Sequence, residues 1–281
     1  MLGVKHSKGT IFFNRRRIVI KEKIHIFDNG VKVYDYHLLP VQQERYKKRN
    51  VHEADEEDIF IEIINSIPIN GCFINIGSAI GYYPILAKKL SSTLTIHAVE
   101  PLEIHKKHFF ENIILNDFRL EDFLFHQEGI SSSEGHSTFL EQGFGSKIVN
   151  IIKKKSLKSQ IKLTIKTFLT QIGIKHYKLS KITKIKTLTL DKLMDTIGKS
   201  ADLLQMDVQG LEVDILNGGL HSLHTGNVKT FLVGTHGKDR HQECLNILKK
   251  YRYAIEFEDG ETMKQPDGII VASKNVQRLK A

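Results

Sequence analysis

Phe73-Ile74-Asn75-Ile76-Gly77-Ser78-Ala79-Ile80-Gly81-Tyr82-Tyr83 reads as a buried strand that runs through a glycine-containing turn into a helix. Gly77 and Gly81 let the backbone turn sharply and let a ligand approach where a Cβ would otherwise stand. About twenty residues on, the next apolar run ends at Glu100, followed by Pro101, where a carboxylate can accept hydrogen bonds from a ribose diol. The two features describe a site for an adenosine-containing cofactor at the carboxyl ends of two strands. A dinucleotide fingerprint needs GxGxxG, so that helix-start N–H groups meet a pyrophosphate. Here the pattern is GxxxG, and Ser78-Ala79 take the place of the middle glycine. That turn suits a cofactor without pyrophosphate, and S-adenosylmethionine (SAM) is the natural candidate, its methionine part along the loop from Asn75 and its ribose at Glu100. Tyr82 and Tyr83 could pack on the cofactor or line the acceptor pocket, although aromatic residues at a helix start more often join a core.

Leu203-Leu204-Gln205-Met206-Asp207-Val208-Gln209-Gly210-Leu211-Glu212 puts one acid at the end of a later strand and a second at the start of the following helix. His236 follows the apolar run Phe231-Leu232-Val233 within Gly234-Thr235-His236-Gly237, again at a strand's carboxyl end. Of the 14 histidines it is the best positioned to act as a base or a ligand near neutral pH.

These phrases, with Glu100-Pro101, Asn112-Ile113-Ile114-Leu115-Asn116 and the strand-to-helix run Ile185-Lys186-Thr187-Leu188-Thr189-Leu190-Asp191-Lys192-Leu193, stand in the order typical of the FkbM family of SAM-dependent methyltransferases. The chain resembles that family from Glu53 to Ala272, apart from a lysine-rich insertion. The resemblance implies a Rossmann-like class I methyltransferase fold and O-methylation, commonly of a sugar or other natural-product hydroxyl. An alcohol is a poor acid, so a base or a metal is useful when its oxygen attacks the SAM methyl. Asp207 is the first candidate for that base. Glu212 could hold the acceptor or orient a base, and His236 could be the base itself. The same three residues could instead bind a divalent cation. Plainer roles compete with these: Asp207 as a helix cap, and Glu212 as a first-turn acid favoured by the helix dipole. Two positions depart from the family, which often has Asp where Asn75 stands and a second acid where Gln209 stands. Each change keeps a polar group but removes a negative charge near a cationic sulfonium.

Strands must end at Ile76, Val99, Met206 and Val233 to bring these residues to one edge. The hydrophobic pattern supplies them as Cys72 to Ile76, Leu94 to Val99, Ala201 to Met206 and Thr230 to Val233, with others at Leu124 to Gln127, Ser137 to Leu140, Ala254 to Phe257 and Gly268 to Ala272. Helices are expected over Ile80 to Leu90, Pro101 to Leu115, near Leu211 to Leu216, and over His241 to Tyr251. Between Val51 and Ile67, five acids precede apolar residues at helical spacing and Pro68 ends the pattern, so a further amphipathic helix is expected there. The alternation predicts an α/β fold with a doubly wound, mostly parallel sheet and a C-terminal antiparallel hairpin. Asn29-Gly30 between two β-type runs predicts an N-terminal hairpin. The expected division is an N-terminal β and basic element over 1–50 and a methyltransferase domain over 51–281, with the lysine-rich insertion at 142–186.

The chain has 281 residues and 41 basic against 32 acidic side chains, a net charge of +9. The stretch 142–190 alone holds 12 lysines, no arginine and no acid. Without those lysines, 29 bases face 32 acids, so the positive charge belongs to one segment. That segment suggests a substrate-side lid or contact with an anionic surface. Nucleic acid is not expected as a partner, because the aromatic and basic interleaving of RNA-binding modules is missing. An RNA ribose methyltransferase and a non-catalytic module that binds an anionic partner are the alternative readings, and the expected acceptor is a small molecule or glycan. Cys72 and Cys244 show no metal-ligand spacing and read as buried thiols of a cytoplasmic protein. The first 23 residues lack the apolar core and cleavage site of a signal peptide. Ile63 to Ala87 is uncharged and long enough to span a bilayer, but Asn65, Pro68, Asn70, Gly71 and Asn75 interrupt it, and no transmembrane helix is expected.

Overall fold

A computed structural model of the chain describes residues 22–140, 147–148, 182–260 and 268–274, together with the backbone of two short paired strands, Phe12–Phe13 and Arg16–Arg17. Its main sheet has seven strands, β1 (Cys72–Ile76), β2 (Thr95–Val99), β3 (Leu124–His126), β4 (Ala201–Asp207), β5 (Val228–Thr235), β6 (Ala254–Asp259) and β7 (Gly268–Ser273). They lie in the order β6-β7-β5-β4-β1-β2-β3. Strands β1 to β5 are mutually parallel, and β7 runs antiparallel between β5 and β6. This is the doubly wound Rossmann-like sheet with a C-terminal antiparallel hairpin that the motifs implied. The strand order reverses between β1 and β4, which puts a crevice at their carboxyl ends.

The helices are α1 (Pro40–Lys48), α2 (Ala54–Ser66), α3 (Tyr82–Leu90), α4 (Glu103–Leu115), α5 (Leu190–Ile197), α6 (Glu212–Asn217), α7 (Leu220–Thr225) and α8 (Lys238–Lys250). Strand residues alternate between two cores. Phe73 and Leu203 join Phe60 of α2, Ile85 of α3 and Phe109 of α4, whereas Ile74, Ile76, Leu204 and Met206 join Leu193 of α5, Ile215 of α6, Leu223 of α7 and Leu245 of α8. Because both faces are covered, β1 is buried at every position and reads as an unbroken apolar run. That is why Ile63 to Ala87 lacks charge: it is the end of α2, β1 and the start of α3. No helix among the described residues is long and apolar enough to cross a membrane.

The N-terminal hairpin pairs Ile24–Ile26 with Lys32–Tyr34 around Gly30, whose φ is +80°. Its Phe27, Val31 and Val33 are buried in the first core. Asn112 and Asn116, one turn apart on α4, hold it there. Asn116 accepts the Lys32 N–H at 2.9 Å and donates to the Lys32 carbonyl at 2.6 Å, while Asn112 accepts the Tyr34 N–H at 3.2 Å. The two asparagines of the Asn112-Ile113-Ile114-Leu115-Asn116 phrase thus act as a staple.

A second, four-stranded sheet orders Lys147–Ile148, Gly135–Leu140, Ile182–Leu188 and Gly129–Ile130. Of the lysine-rich insertion expected at 142–186, Lys147–Ile148 and residues 182–186 belong to this sheet. Residues 149–181, with nine of the 12 lysines, lie outside the described residues. Cys72 and Cys244 are both free and buried, and burial pushes their thiols up to about 11 and about 12.

On neighbouring strands, His97 Nδ1 lies 2.9 Å from His126 Nε2. Burial first, and His126 second, push His97 down to about 4, and burial lowers His126. A histidine whose folded pKa is depressed binds fewer protons when folded than when unfolded, so its contribution is complete above about 6.5 and is lost as pH falls toward about 4. Urea midpoints are expected to fall between pH 7.5 and pH 5, and to fall less in a His97→Gln variant. An unchanged pH dependence in that variant would refute the assignment.

Candidate active site

Gly77, with φ of +85°, starts the turn after β1. The Gly77 and Ser78 N–H groups both donate to the Val99 carbonyl, at 3.0 and 3.1 Å, which ties the turn to the end of β2. A Cβ on Gly77 would stand 2.3 Å from the Asp207 carbonyl oxygen, so the turn lies directly against the end of β4. Gly81, with φ of +86°, is required for a different reason: a Cβ there would run into the Phe109 ring of α4. Glu100 is buried, and its carboxylate accepts the Ala79 N–H at 3.1 Å on Oε2 and the Leu102 N–H at 2.9 Å on Oε1. Oε2 keeps a second lone pair for a diol hydroxyl. His105 Nδ1 is 3.2 Å from Glu100 Oε1, a neighbour one turn into α4 that the sequence did not flag. Pro101 lies two residues ahead of α4, which begins at Glu103 rather than at the proline. Tyr82 and Tyr83 are both buried. Tyr82 donates to Glu57 and accepts from Asn29 Nδ2, so it faces the N-terminal hairpin.

Asp207, Glu212 and His236 come together at the ends of β4 and β5. His236 Nδ1 is 2.8 Å from Oε1 of Glu212, which is fully buried, and the same oxygen accepts the Gly210 N–H at 2.8 Å. His236 Nε2 is 3.5 Å from Asp207 Oδ1. Gln209 bridges the pair, with Nε2 2.8 Å from His236 Nε2 and 3.3 Å from Asp207 Oδ1. The bridge depends on a backbone that turns sharply, with positive φ at Gln209 (55°) and Gly210 (98°). Asp207 caps no helix: the N-cap of α6 is Leu211, with no side-chain cap hydrogen bond. Glu212 is more than a first-turn acid, since it holds the histidine that follows β5. A carboxylate on Nδ1 fixes the tautomer in which Nε2 carries the lone pair, the arrangement of an oriented general base. The two carboxylates flank opposite nitrogens of one ring, so a single ion cannot meet both of them and the imidazole.

Two further residues escape sequence reasoning. Asn75 Nδ2 donates to Gln205 Oε1 across the β1–β4 pair, and Gln205 Nε2 donates to Glu56 Oε1 of α2 at 2.6 Å. All three are buried. Glu56 is one of the acids at the start of α2, yet it points inward, and a Cβ on Gly234 would stand 3.4 Å from its Oε2. A carboxyl group is therefore linked to Asn75 through Gln205, supplied by α2 rather than by β1. Asn75 Oδ1 and the Tyr83 hydroxyl are buried with no hydrogen-bond partner among the described residues. Orphaned polar atoms beside a glycine turn suit a polar cofactor, and the residues present fit SAM in that respect.

Comparison with known proteins bears on the family of the chain. The sequence model described as the Methyltransferase FkbM domain matches residues 72–255. A protein of Jannaschia sp. (strain CCS1) named "Putative methyltransferase" is 36% identical over 76 residues, which are 27% of this chain and 26% of that protein. The chain thus spans about a quarter of that relative's length. Among solved structures, methyltransferase FkbM from Methylobacillus flagellatus KT is similar with a TM-score of 0.48 and 12% identity, over 72% of this chain and 43% of that one. M. capricolum TrmK, solved in complex with S-adenosyl-homocysteine, is similar with a TM-score of 0.40 and 11% identity, over 77% of this chain and 68% of that one. With its model matched from β1 to the start of β6, the chain belongs to the FkbM methyltransferase family.

Proposed function

We propose that the chain is a SAM-dependent O-methyltransferase acting on a hydroxyl of a sugar, glycan or glycoconjugate. The observation that carries this reading is the His236–Glu212 pair beside Asp207, at the carboxyl ends of β4 and β5 and against the turn after β1. SAM supplies a methyl group on a cationic sulfur, already activated for displacement. The protein's task is to align the acceptor and remove its proton. Gly77 to Gly81 and Glu100 hold the cofactor's methionine and ribose parts, and Asn75 Oδ1 faces it as an acceptor. Glu212 keeps the Nδ1 proton in place, so that His236 Nε2 receives the acceptor's proton. Asp207 holds the acceptor hydroxyl beside the ring, and Gln209 gives up its place at Nε2 to that hydroxyl. A base held this firmly suits an alcohol, whose proton must leave as the methyl arrives.

Calorimetry with SAM tests the cofactor, and Glu100→Ala is expected to weaken binding at least tenfold. A variant indistinguishable from wild type, or a wild type that binds no SAM, would sink the assignment. Labelled SAM offered with a panel of sugar acceptors, followed by mass spectrometry of the labelled product, tests the acceptor class.

A further inference from the structure

On the far side of α4 from Gly81, a second cluster joins the N-terminal segment to that helix. His37 ends a short 3-10 turn over Asp35–His37, while His108 and Glu111 stand one turn apart on α4. One donor atom from each of the three lies within 4.8 Å of the others. The His37 side chain is fully buried, and its ring stacks on that of His108 with centroids 4.0 Å apart.

The hydrogen-bond pattern around His37 is unusual for a neutral ring. Its Nδ1 is 3.1 Å from Asn112 Oδ1, and its Nε2 is 3.0 Å from Glu111 Oε2. Asn112 cannot be turned around to donate, because Oδ1 accepts the Tyr34 N–H and Nδ2 donates to the Ile80 carbonyl. Both nitrogens of His37 therefore face acceptors, and a neutral imidazole has one proton to offer. The proton belongs at Nδ1, where Asn112 has no alternative donor for that position. The Nε2 lone pair then points at the Glu111 carboxyl group, a contact that a bound cation would satisfy as well as a proton shared between the two groups.

We propose that His37 Nε2, His108 and Glu111 bind a divalent transition-metal ion of the zinc class. Two histidines and a carboxylate are an established zinc donor set, with a fourth position left to water. Two ligands at ~2.1 Å from one zinc ion stand roughly 3.4 Å apart, close to the His37–Glu111 separation. Outer partners are already in place, as metal-bound side chains usually have them: Asn112 on His37 Nδ1, and the Tyr36 hydroxyl donating to Glu111 Oε2 at 2.9 Å. The site is separate from the Asp207, Glu212 and His236 cluster, and Asn112 links it by one hydrogen bond to Ile80 in the turn between Gly77 and Gly81. A metal here would fasten the segment before α1 to α4.

The test uses the full chain stripped with EDTA and titrated with zinc chloride by calorimetry, with cobalt(II) absorption as a second readout. One ion per chain is expected, with affinity lowered at least tenfold in both Glu111→Gln and His108→Gln and unchanged in His221→Ala, an exposed histidine on α7. Wild-type cobalt spectra should show d–d bands of low-coordinate nitrogen ligation that both variants lose. Circular dichroism matched to wild type certifies that the variants are folded. No stoichiometric binding by the folded wild type, or equal binding in all three variants, would overturn the proposal.

Discussion

Replacing His236 with glutamine is expected to slow methyl transfer by about 10²- to 10⁴-fold, the range a positioned general base supplies, while SAM affinity stays within about twofold of wild type. The expectation follows from which atoms the side chain touches. His236 meets Glu212, Gln209 and Asp207, and none of these is in the Gly77 to Gly81 turn or at Glu100. Glutamine retains a polar tip but has no nitrogen lone pair of comparable basicity. Glu212→Gln should produce a smaller loss in rate, because an amide oxygen can still accept the Nδ1 proton but no longer stabilises the imidazolium that forms. Asp207→Asn should raise KM for the acceptor more than it lowers kcat, if Asp207 holds the hydroxyl and His236 takes the proton. The reverse split, with Asp207→Asn as damaging to kcat as His236→Gln, would make Asp207 the base. Steady-state kinetics at saturating SAM on one identified acceptor decides between the two.

The parts of the fold that rest on local pattern were legible in the sequence. β1 and the turn after it announce themselves by five consecutive buried residues followed by two glycines at positive φ, and Asp207 and His236 are found because each follows a short apolar run. What the sequence hides are partners brought in by register. Gln205 meets Asn75 because β4 lies parallel beside β1 with those two residues opposite each other, and Glu56 reaches Gln205 across 149 positions of chain. No spacing rule encodes either contact. Glu56 and Glu57 sit where a helix dipole favours acids, and this local reading conceals that both are buried and hydrogen-bonded inward. The same applies to His97 with His126 and to His37 with Glu111, which are 29 and 74 residues apart. Asn112 and Asn116 carry the opposite lesson. Their spacing was visible as a motif, but its physical content, a staple for the hairpin backbone, needs the fold.

Gly77→Ala is expected to be severely damaging, with a loss of roughly 2–5 kcal/mol in stability and of about 10² in rate. Two costs combine at that position. An alanine held at φ of +85° is in the left-handed region, which costs about 1–2 kcal/mol. Its Cβ would also stand 2.3 Å from the Asp207 carbonyl oxygen, and relieving such an overlap in a packed interior typically costs about 1–3 kcal/mol. Neither side can yield easily. The turn is held by two N–H bonds to the Val99 carbonyl, and β4 is paired on both edges, to β1 and to β5. Whatever shift occurs must move Asp207 relative to His236, and a displacement of about 1 Å is enough to cost 10²-fold in rate. Gly30→Ala isolates the backbone cost, because Gly30 has nearly the same φ, +80°, and nothing within 4 Å of the added methyl. Urea denaturation should therefore separate the two variants by the overlap alone, and methyl transfer should fall in Gly77→Ala but not in Gly30→Ala. Equal midpoints and equal rates would mean that β1 and β4 are not in such close contact at the cofactor turn, and the crevice described between them would have to be redrawn.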